Sequence, residues 1–243
     1  MDDSFLILIP ARYASTRFPA KPLAPLLGRP MVQWVYDHML QTGAQVAVVT
    51  DSAEIEQTLT PVGVKVVRVD EDVASGSERI HLAYQRYFSE QNFDYIINVQ
   101  GDEPLLKASS ILQIVNFHRA HPHFDVCTAL RENHNSQQRD DANNVKAVFD
   151  VSSGECFYFS RSAVPYQANP WWLHLGIYCY RPSALKSFCQ LPPSSLEQME
   201  RLEQLRLLQN KMRIGAVVLK DDQSFGVDTP EDLKRVEHIL NNR

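Results

Sequence analysis

The chain begins with an unbroken apolar run, Phe5 to Ile9, closed by Pro10. Five consecutive apolar residues without polar alternation read as a strand covered on both faces, the kind that sits in the middle of a helix-flanked parallel sheet. The following segments keep that rhythm. Pro30 opens a helix carrying Met31, Trp34, Val35, His38 and Met39 at helical spacing, Gln45–Thr50 reads as a strand, and Ser52 caps a short helix with Glu54 and Glu56 in its first turns. Val64–Val69 is a third strand. Ser75 and Glu78 form a capping-box pattern before a helix to about Phe88, and Asp94–Gln100 is a fourth strand. Ser109–Ala120 reads as a helix and Asp125–Leu130 as a strand. Alternation of this kind builds βαβ units, so the expected fold is α/β: a doubly wound, mostly parallel sheet flanked by helices.

The second half is less regular. Val145–Asp150, Cys156–Ser160, His174–Tyr180 and Met212–Leu219 have strand character, and Ser183–Cys189 and Leu196–Gln209 have helical character. In the last of these, Leu196, Met199, Leu202, Leu205 and Leu208 recur every third residue, a spacing that drifts around a helix axis and implies burial on more than one side. Thr229, Pro230 and Asp232 mark the start of a final helix. The reading is one domain over residues 1–243, with about residues 120–190 as a subdomain.

Several function classes are excluded at this stage. Nine glycines are spread so that no two lie within ten residues of each other, which removes both GxGxxG and the P-loop GxxxxGK[ST]. A phosphate ligand must therefore be held by side-chain cations, and a nicotinamide oxidoreductase is disfavoured. The net charge of −5 argues against nucleic acid as partner, since a phosphate backbone calls for a basic face. The acidic N-terminus and the absence of a long apolar stretch predict neither signal peptide nor membrane span. The cysteines 127, 156, 179 and 189 form no CxxC pair and fit a reducing cytoplasm.

Two segments leave strand ends with unusual polar content, where open parallel sheets bind ligands. Ile9–Leu23 places Arg12, Arg17 and Lys21 on a proline-stiffened loop, with Ser15 and Thr16 as hydroxyl donors. Such cations can converge on a polyphosphate, and a solvated basic loop is the alternative. Val99–Pro104 places Asp102 beside Gly101 just past a strand, suited either to Mg²⁺ or to a turn. Asp228, before the final helix, reads by itself as a cap or turn residue. His118, His121 and His123 read as a solvated surface cluster, and the acidic runs at 70–72, 140–141 and 221–222 as solvated loops. Trp171-Trp172 reads as packing or interface rather than a sugar platform.

Taken together, the motifs IPARYASTRFPAKPL (9–23), SGSERI (75–80), VQGDEPLL (99–106), NNVKAVFD (143–150), YFSRSAVPY (158–166), HLGIYCYR (174–181), LEQLRLL (202–208) and GVDTPEDL (226–233) resemble the 3-deoxy-manno-octulosonate (Kdo) cytidylyltransferases. The resemblance implies a homodimer with a small dimerisation subdomain and transfer of CMP from CTP to a 3-deoxy-ulosonic acid with Mg²⁺ as cofactor. It assigns Arg12 and Lys21 to the triphosphate with Ser15 nearby, and puts Ser75, Gly76 and Arg79 on the nucleotide side. It makes Asp102 and Asp228 metal-holding carboxylates, and puts Gln100, Arg161, His174, Glu203 and Gln204 on the sugar-acid side. Some positions depart from the family pattern: Ala20 stands for glycine, Ser77 for threonine, Val73-Ala74 for a His-Gln pair and Leu173 for a basic residue, and the loop between Ser162 and His174 is short. A related acid, such as an amino-substituted Kdo or a sialic-type acid, or a non-catalytic nucleotide sensor, are the alternatives.

Overall fold

A computed structural model describes residues 4–13, 18–220 and 222–242. In chain order its elements are β1 (Phe5–Ala11), β2 (Pro25–Leu26), β3 (Arg29–Pro30), α1 (Met31–Leu40), β4 (Gln45–Thr50), α2 (Ala53–Leu59), β5 (Val66–Arg68), α3 (Gly76–Tyr87), β6 (Tyr95–Asn98), α4 (Ala108–Ala120) and β7 (Val126–Asn133). There follow α5 (Ser136–Asp140), β8 (Lys146–Phe149), β9 (Glu155–Ser160), β10 (Trp171–Tyr180), α6 (Pro182–Gln190), α7 (Ser195–Glu200), α8 (Gln204–Gln209), β11 (Ile214–Val218) and α9 (Pro230–Asn241). The chain gathers into two compact units. The first holds the residues up to Ser109 and those from Gln223 on, and the second runs from Ser110 to Asp222.

In the first unit β1 is buried along nearly its whole length, as its sequence demands. It pairs in parallel with β4 on one side and β6 on the other, and β4 pairs in parallel with β5. The chain leaves β1 toward β4 and β5 and later returns to β6, so the winding reverses between β1 and β6. That reversal puts a crevice at the carboxyl ends of these two strands. Ser52 caps α2 through its hydroxyl, as expected. Ser75 likewise accepts from the Glu78 N–H, but the Glu78 carboxylate reaches back to the Ala74 N–H instead of Ser75. At the other end of the chain, α9 carries a full capping box between Thr229 and Asp232. Val227 and Val236 join Leu26, Met31 and Leu105 in one apolar cluster, which fastens the C-terminal segment to the unit.

The second unit is mostly antiparallel. β10 pairs antiparallel with β7, β8 with β9, and β9 with β11; only β7 and β11 run parallel. β10 also pairs with β8 through Trp172 and Leu173, so the strand order returns on itself. The helix expected over Leu196–Gln209 is two helices. Arg201 adopts a left-handed conformation, φ 54°, between α7 and α8. The three-residue spacing explains the break: no single helix face can bury all five apolar residues. The turn brings Leu202 and Leu205 inside and leaves Met199 78% exposed.

Two surface expectations are corrected. His118 is fully buried, against Cys179 Sγ at 3.4 Å and donating from Nε2 to the Phe124 carbonyl at 3.1 Å; only His121 and His123 of that cluster reach solvent. It sits on the buried face of α4 with Ile111, Ile114 and Val115. Asp222 is not solvated either. It is buried and accepts a 2.6 Å bond from the Ser110 hydroxyl, while its carbonyl accepts from Arg131. Of the tryptophan pair, Trp171 is in the core with its indole N–H on the Asn135 carbonyl, which agrees with packing. The cysteines carry no disulfide. Among the described residues, no helix is long and apolar enough to cross a membrane.

Candidate active site

The crevice of the first unit encloses about 300 Å³. Its floor is the end of β1, and two glycines let neighbouring backbone close on it. A Cβ on Gly76 would lie 3.2 Å from the Pro10 ring, and one on Gly101 would lie 3.1 Å from the Pro10 carbonyl oxygen. Both are tighter than ordinary contacts, so a side chain at either position would push the start of α3 or the turn after β6 away. Ser75 and Gly76 thereby present the N-terminal end of a 12-residue helix, a site of positive potential, to the crevice. Arg12, Lys21, Gln100 and Asp102 line it as well.

The charged centre is built by three distant segments. Ala20 takes a left-handed conformation, φ 51°, and starts a single 3-10 turn over Lys21–Leu23. Lys21 then contacts the Asp102 carboxylate and donates to Asp228 Oδ1 at 3.2 Å. The backbone ties the two aspartates together: the Val227 N–H donates to the Asp102 carbonyl at 2.9 Å, and the Asp228 N–H to Asp232 Oδ2 at 3.2 Å. Burial works against the Lys21 charge, but the two carboxylates outweigh it and its pKa is raised above the ordinary lysine value. Two carboxylates converging on one ammonium form an oxygen-only position for a cation. Asp228 is thus more than a cap residue; the cap itself is Thr229.

Of the other nucleotide-side residues, Arg12 donates to the Val73 carbonyl at 2.6 Å, and Ser15 lies outside the described residues, as do Thr16 and Arg17. Arg79 is not brought to the crevice. It is 1% exposed, bonded to the Val69 carbonyl and 2.8 Å from Asp51, with its pKa lowered by burial against the pull of Asp51. Its place is to hold α3 against the end of β4 and the segment after β5. No sequence signal distinguishes this arginine from a ligand-binding one, because both readings need the same residue at a helix start.

In the second unit, His174 is half-buried, with Nε2 3.0 Å from the Thr128 hydroxyl and its ring 4.8 Å from Phe159. Burial lowers its pKa to about 3, so it is neutral. Tyr178 connects it to Glu203. Its ring is 5.5 Å from His174, and its hydroxyl pKa is raised first by burial and then by the Glu203 carboxylate. Gln204, next in sequence, is 2% exposed. The Arg161 guanidinium donates to the carbonyls of Glu200 and Ala142 at 2.9 Å and of Arg201 at 3.4 Å.

Sequence reasoning missed Lys146, a fully buried lysine whose ammonium donates to the carbonyls of Asp141, Asn144 and Arg161. It also missed Glu200, which accepts from the Ser160 hydroxyl and the Arg161 N–H. A lysine at the start of a short strand carries no mark of burial in the sequence; only the loop that folds over it reveals its role.

A parallel sheet with a cation-lined crevice at its switch point and two carboxylates beside it defines a nucleotidyltransferase. The family described as cytidylyltransferase matches residues 6–214. A 3-deoxy-manno-octulosonate cytidylyltransferase of Rhodospirillum rubrum is 39% identical over 97% of the chain and 95% of its own length. An 8-amino-3,8-dideoxy-manno-octulosonate cytidylyltransferase of Shewanella baltica is 41% identical over 96% and 97%. The solved structure of a CMP:2-keto-3-deoxy-manno-octonic acid synthetase complexed with CTP superposes with a TM-score of 0.90 at 34% identity, covering 99% of both chains. The chain belongs to the cytidylyltransferase family and has its fold.

Proposed function

We propose that the enzyme transfers CMP from CTP to the anomeric hydroxyl of 3-deoxy-manno-octulosonate, releasing pyrophosphate. The sugar oxygen attacks the α-phosphorus in line, and the bond from that phosphorus to the bridging oxygen breaks. The observation that carries the reading is the convergence of Lys21, Asp102 and Asp228 at the mouth of a crevice lined by Arg12 and the N-terminus of α3. Arg12 and Lys21 neutralise charge building on the leaving pyrophosphate, and the Ser75 and Gly76 backbone donors fix the phosphate chain. Positioning two anions and balancing their charge is most of what a phosphoryl-transfer enzyme must do.

The residues fit a Mg²⁺ cofactor, because Asp102 and Asp228 offer hard oxygen donors at a place where a cation already sits. When bound, the ion acts as a Lewis acid toward phosphate and sugar oxygens. Gln100 lies beside Asp102 in the same crevice and serves the sugar side. His174, Glu203 and Gln204 supply further sugar-acid contacts, with the neutral His174 as hydrogen-bond partner rather than cation. Arg161 acts by holding the loops around Ala142 and Arg201.

A second acceptor is favoured by one observation: relatives named for the 8-amino acid match as well as those named for Kdo, at 41% against 39–41% identity. A pyrophosphate-release assay with CTP, UTP and ATP against Kdo, 8-amino-Kdo and a sialic acid tests the reading. Turnover with CTP and Kdo is expected; turnover only with the amino acid selects the second reading, and none with any pair overturns both.

The assembly is read as a homodimer formed by the second unit, where Val151, Phe157 and Met199 are 66%, 58% and 78% exposed. A nucleoside-triphosphate donor and cysteines without disulfides fit a reaction in the cytoplasm.

A further inference from the structure

We infer that in the nucleotide-free enzyme Lys21 is a resident counter-ion that occupies the cation position between Asp102 and Asp228, so that a divalent metal enters only when the nucleotide triphosphate draws the ammonium away. This rests on the reading of the two aspartates as metal-holding groups.

The contacts span 81 and 207 residues of sequence, so they are built by the fold and not by local chance. The turn that starts at Lys21, the strand end before Asp102 and the segment before α9 are each fixed by their own backbone bonds, which keeps the main chains carrying the two carboxylates together. Side by side, two carboxylates repel; one ammonium holding both removes that repulsion. A divalent ion brought to the same oxygens meets the positive charge of Lys21 at close range and must displace it. Lysine suits this exchange, because a compact ammonium on a flexible four-carbon stem can leave one anion for another, which a planar arginine fork does less readily. The side chain is 16% exposed and Asp228 44% exposed, so the ammonium can move without unfolding the turn. The triphosphate, with its larger negative charge, is the anion that can claim it. Metal and nucleotide then raise each other's affinity by the same factor. The enzyme accepts the metal together with CTP, and does not bind a stray divalent ion that would block the site.

The test is Mn²⁺ binding followed by the loss of its free-ion paramagnetic resonance signal, with no nucleotide present. Wild type is expected to bind Mn²⁺ weakly. K21M should bind one ion at least tenfold more tightly, and D102N in that background should abolish the gain. K21M binding no more tightly than wild type overturns the inference. Circular dichroism verifies the fold; should K21M not fold, K21Q replaces it with the same expectation. On wild type alone, adding CTP should tighten Mn²⁺ binding at least tenfold beyond the chelation that the same CTP shows in protein-free buffer, and equal affinity with and without CTP after that correction also overturns it. The two readings separate cleanly. If Mn²⁺ binds with CTP, depends on Asp102 and gains nothing in K21M, the counter-ion role falls and the metal site stands. If no Mn²⁺ binds even with CTP, both fall.

Discussion

His118 allows acid sensitivity to be worked out from position. The imidazole is fully buried beneath α4, and burial lowers its pKa from 6.5 to about 4, opposed by its bond to the Phe124 carbonyl. Above pH 6.5 it is neutral in both folded and unfolded chains and has no effect on the pH dependence of stability. As pH falls below 6.5, the unfolded chain takes up a proton that the native protein cannot hold, so stability drops, and the loss levels off below about pH 4. At 1.36 kcal/mol per pH unit the full loss is about 3 kcal/mol, of which about 2 kcal/mol has accumulated by pH 5. The assay is urea unfolding at pH 7, 6 and 5, followed by the fluorescence of Trp171 and Trp172 in a Trp34→Phe background, for the protein with and without His118→Gln. Glutamine can keep the donor to Phe124 but does not titrate. The variant should lose about 2 kcal/mol less than its parent between pH 7 and 5. His174, also lowered, acts in the same direction and is common to both proteins, so it cancels. Equal losses in the two proteins, or a native His118 that titrates near pH 6.5 by NMR, would refute the reasoning.

Other expectations follow from the same geometry. Asp102→Asn should abolish turnover with an unchanged circular dichroism spectrum, and near-normal activity at saturating Mg²⁺ would sink its metal role. Ala20→Gly should relieve the left-handed strain before Lys21, about 1 kcal/mol after allowing for the greater freedom of glycine in the unfolded chain. That corresponds to a Tm rise of about 2–4 °C, and a fall would show that the strain is absent. Phe157→Asp should convert a dimer to a 27.7 kDa monomer by light scattering, and a persistent dimer would place the interface elsewhere.

The first unit was legible because its central strands β1, β4 and β6 are covered on both faces and its helices α1 and α3 each bury one side, so the pattern states the element. Arg12, Lys21 and Asp102 were legible as polar groups at strand ends, where apolar residues would otherwise stand. Asp228 was not legible from its own surroundings: its capping sequence is ordinary, and only the fold brings it to Lys21. The second unit was harder, because its strands pair mostly antiparallel and its cation, Lys146, is satisfied by carbonyl oxygens that any sequence carries. His118 misled for a related reason. Two histidines beside a proline suggested solvent, but helical periodicity put the third on the face with Ile111, Ile114 and Val115. The break at Arg201 was not legible: the three-residue spacing of Leu196, Met199, Leu202, Leu205 and Leu208 pointed to burial on more than one side of one helix, and the chain meets it by ending that helix instead.

The order of the segments has a consequence for biosynthesis. Asp228 comes 126 residues after Asp102, in the stretch that also carries α9. A ribosome adding about 5–20 residues per second therefore leaves the opening half of the nascent chain without its second carboxylate for roughly 6–25 s. Throughout that interval Lys21 has one aspartate to neutralise it, and a truncated product lacking the last 20 residues would never acquire the other.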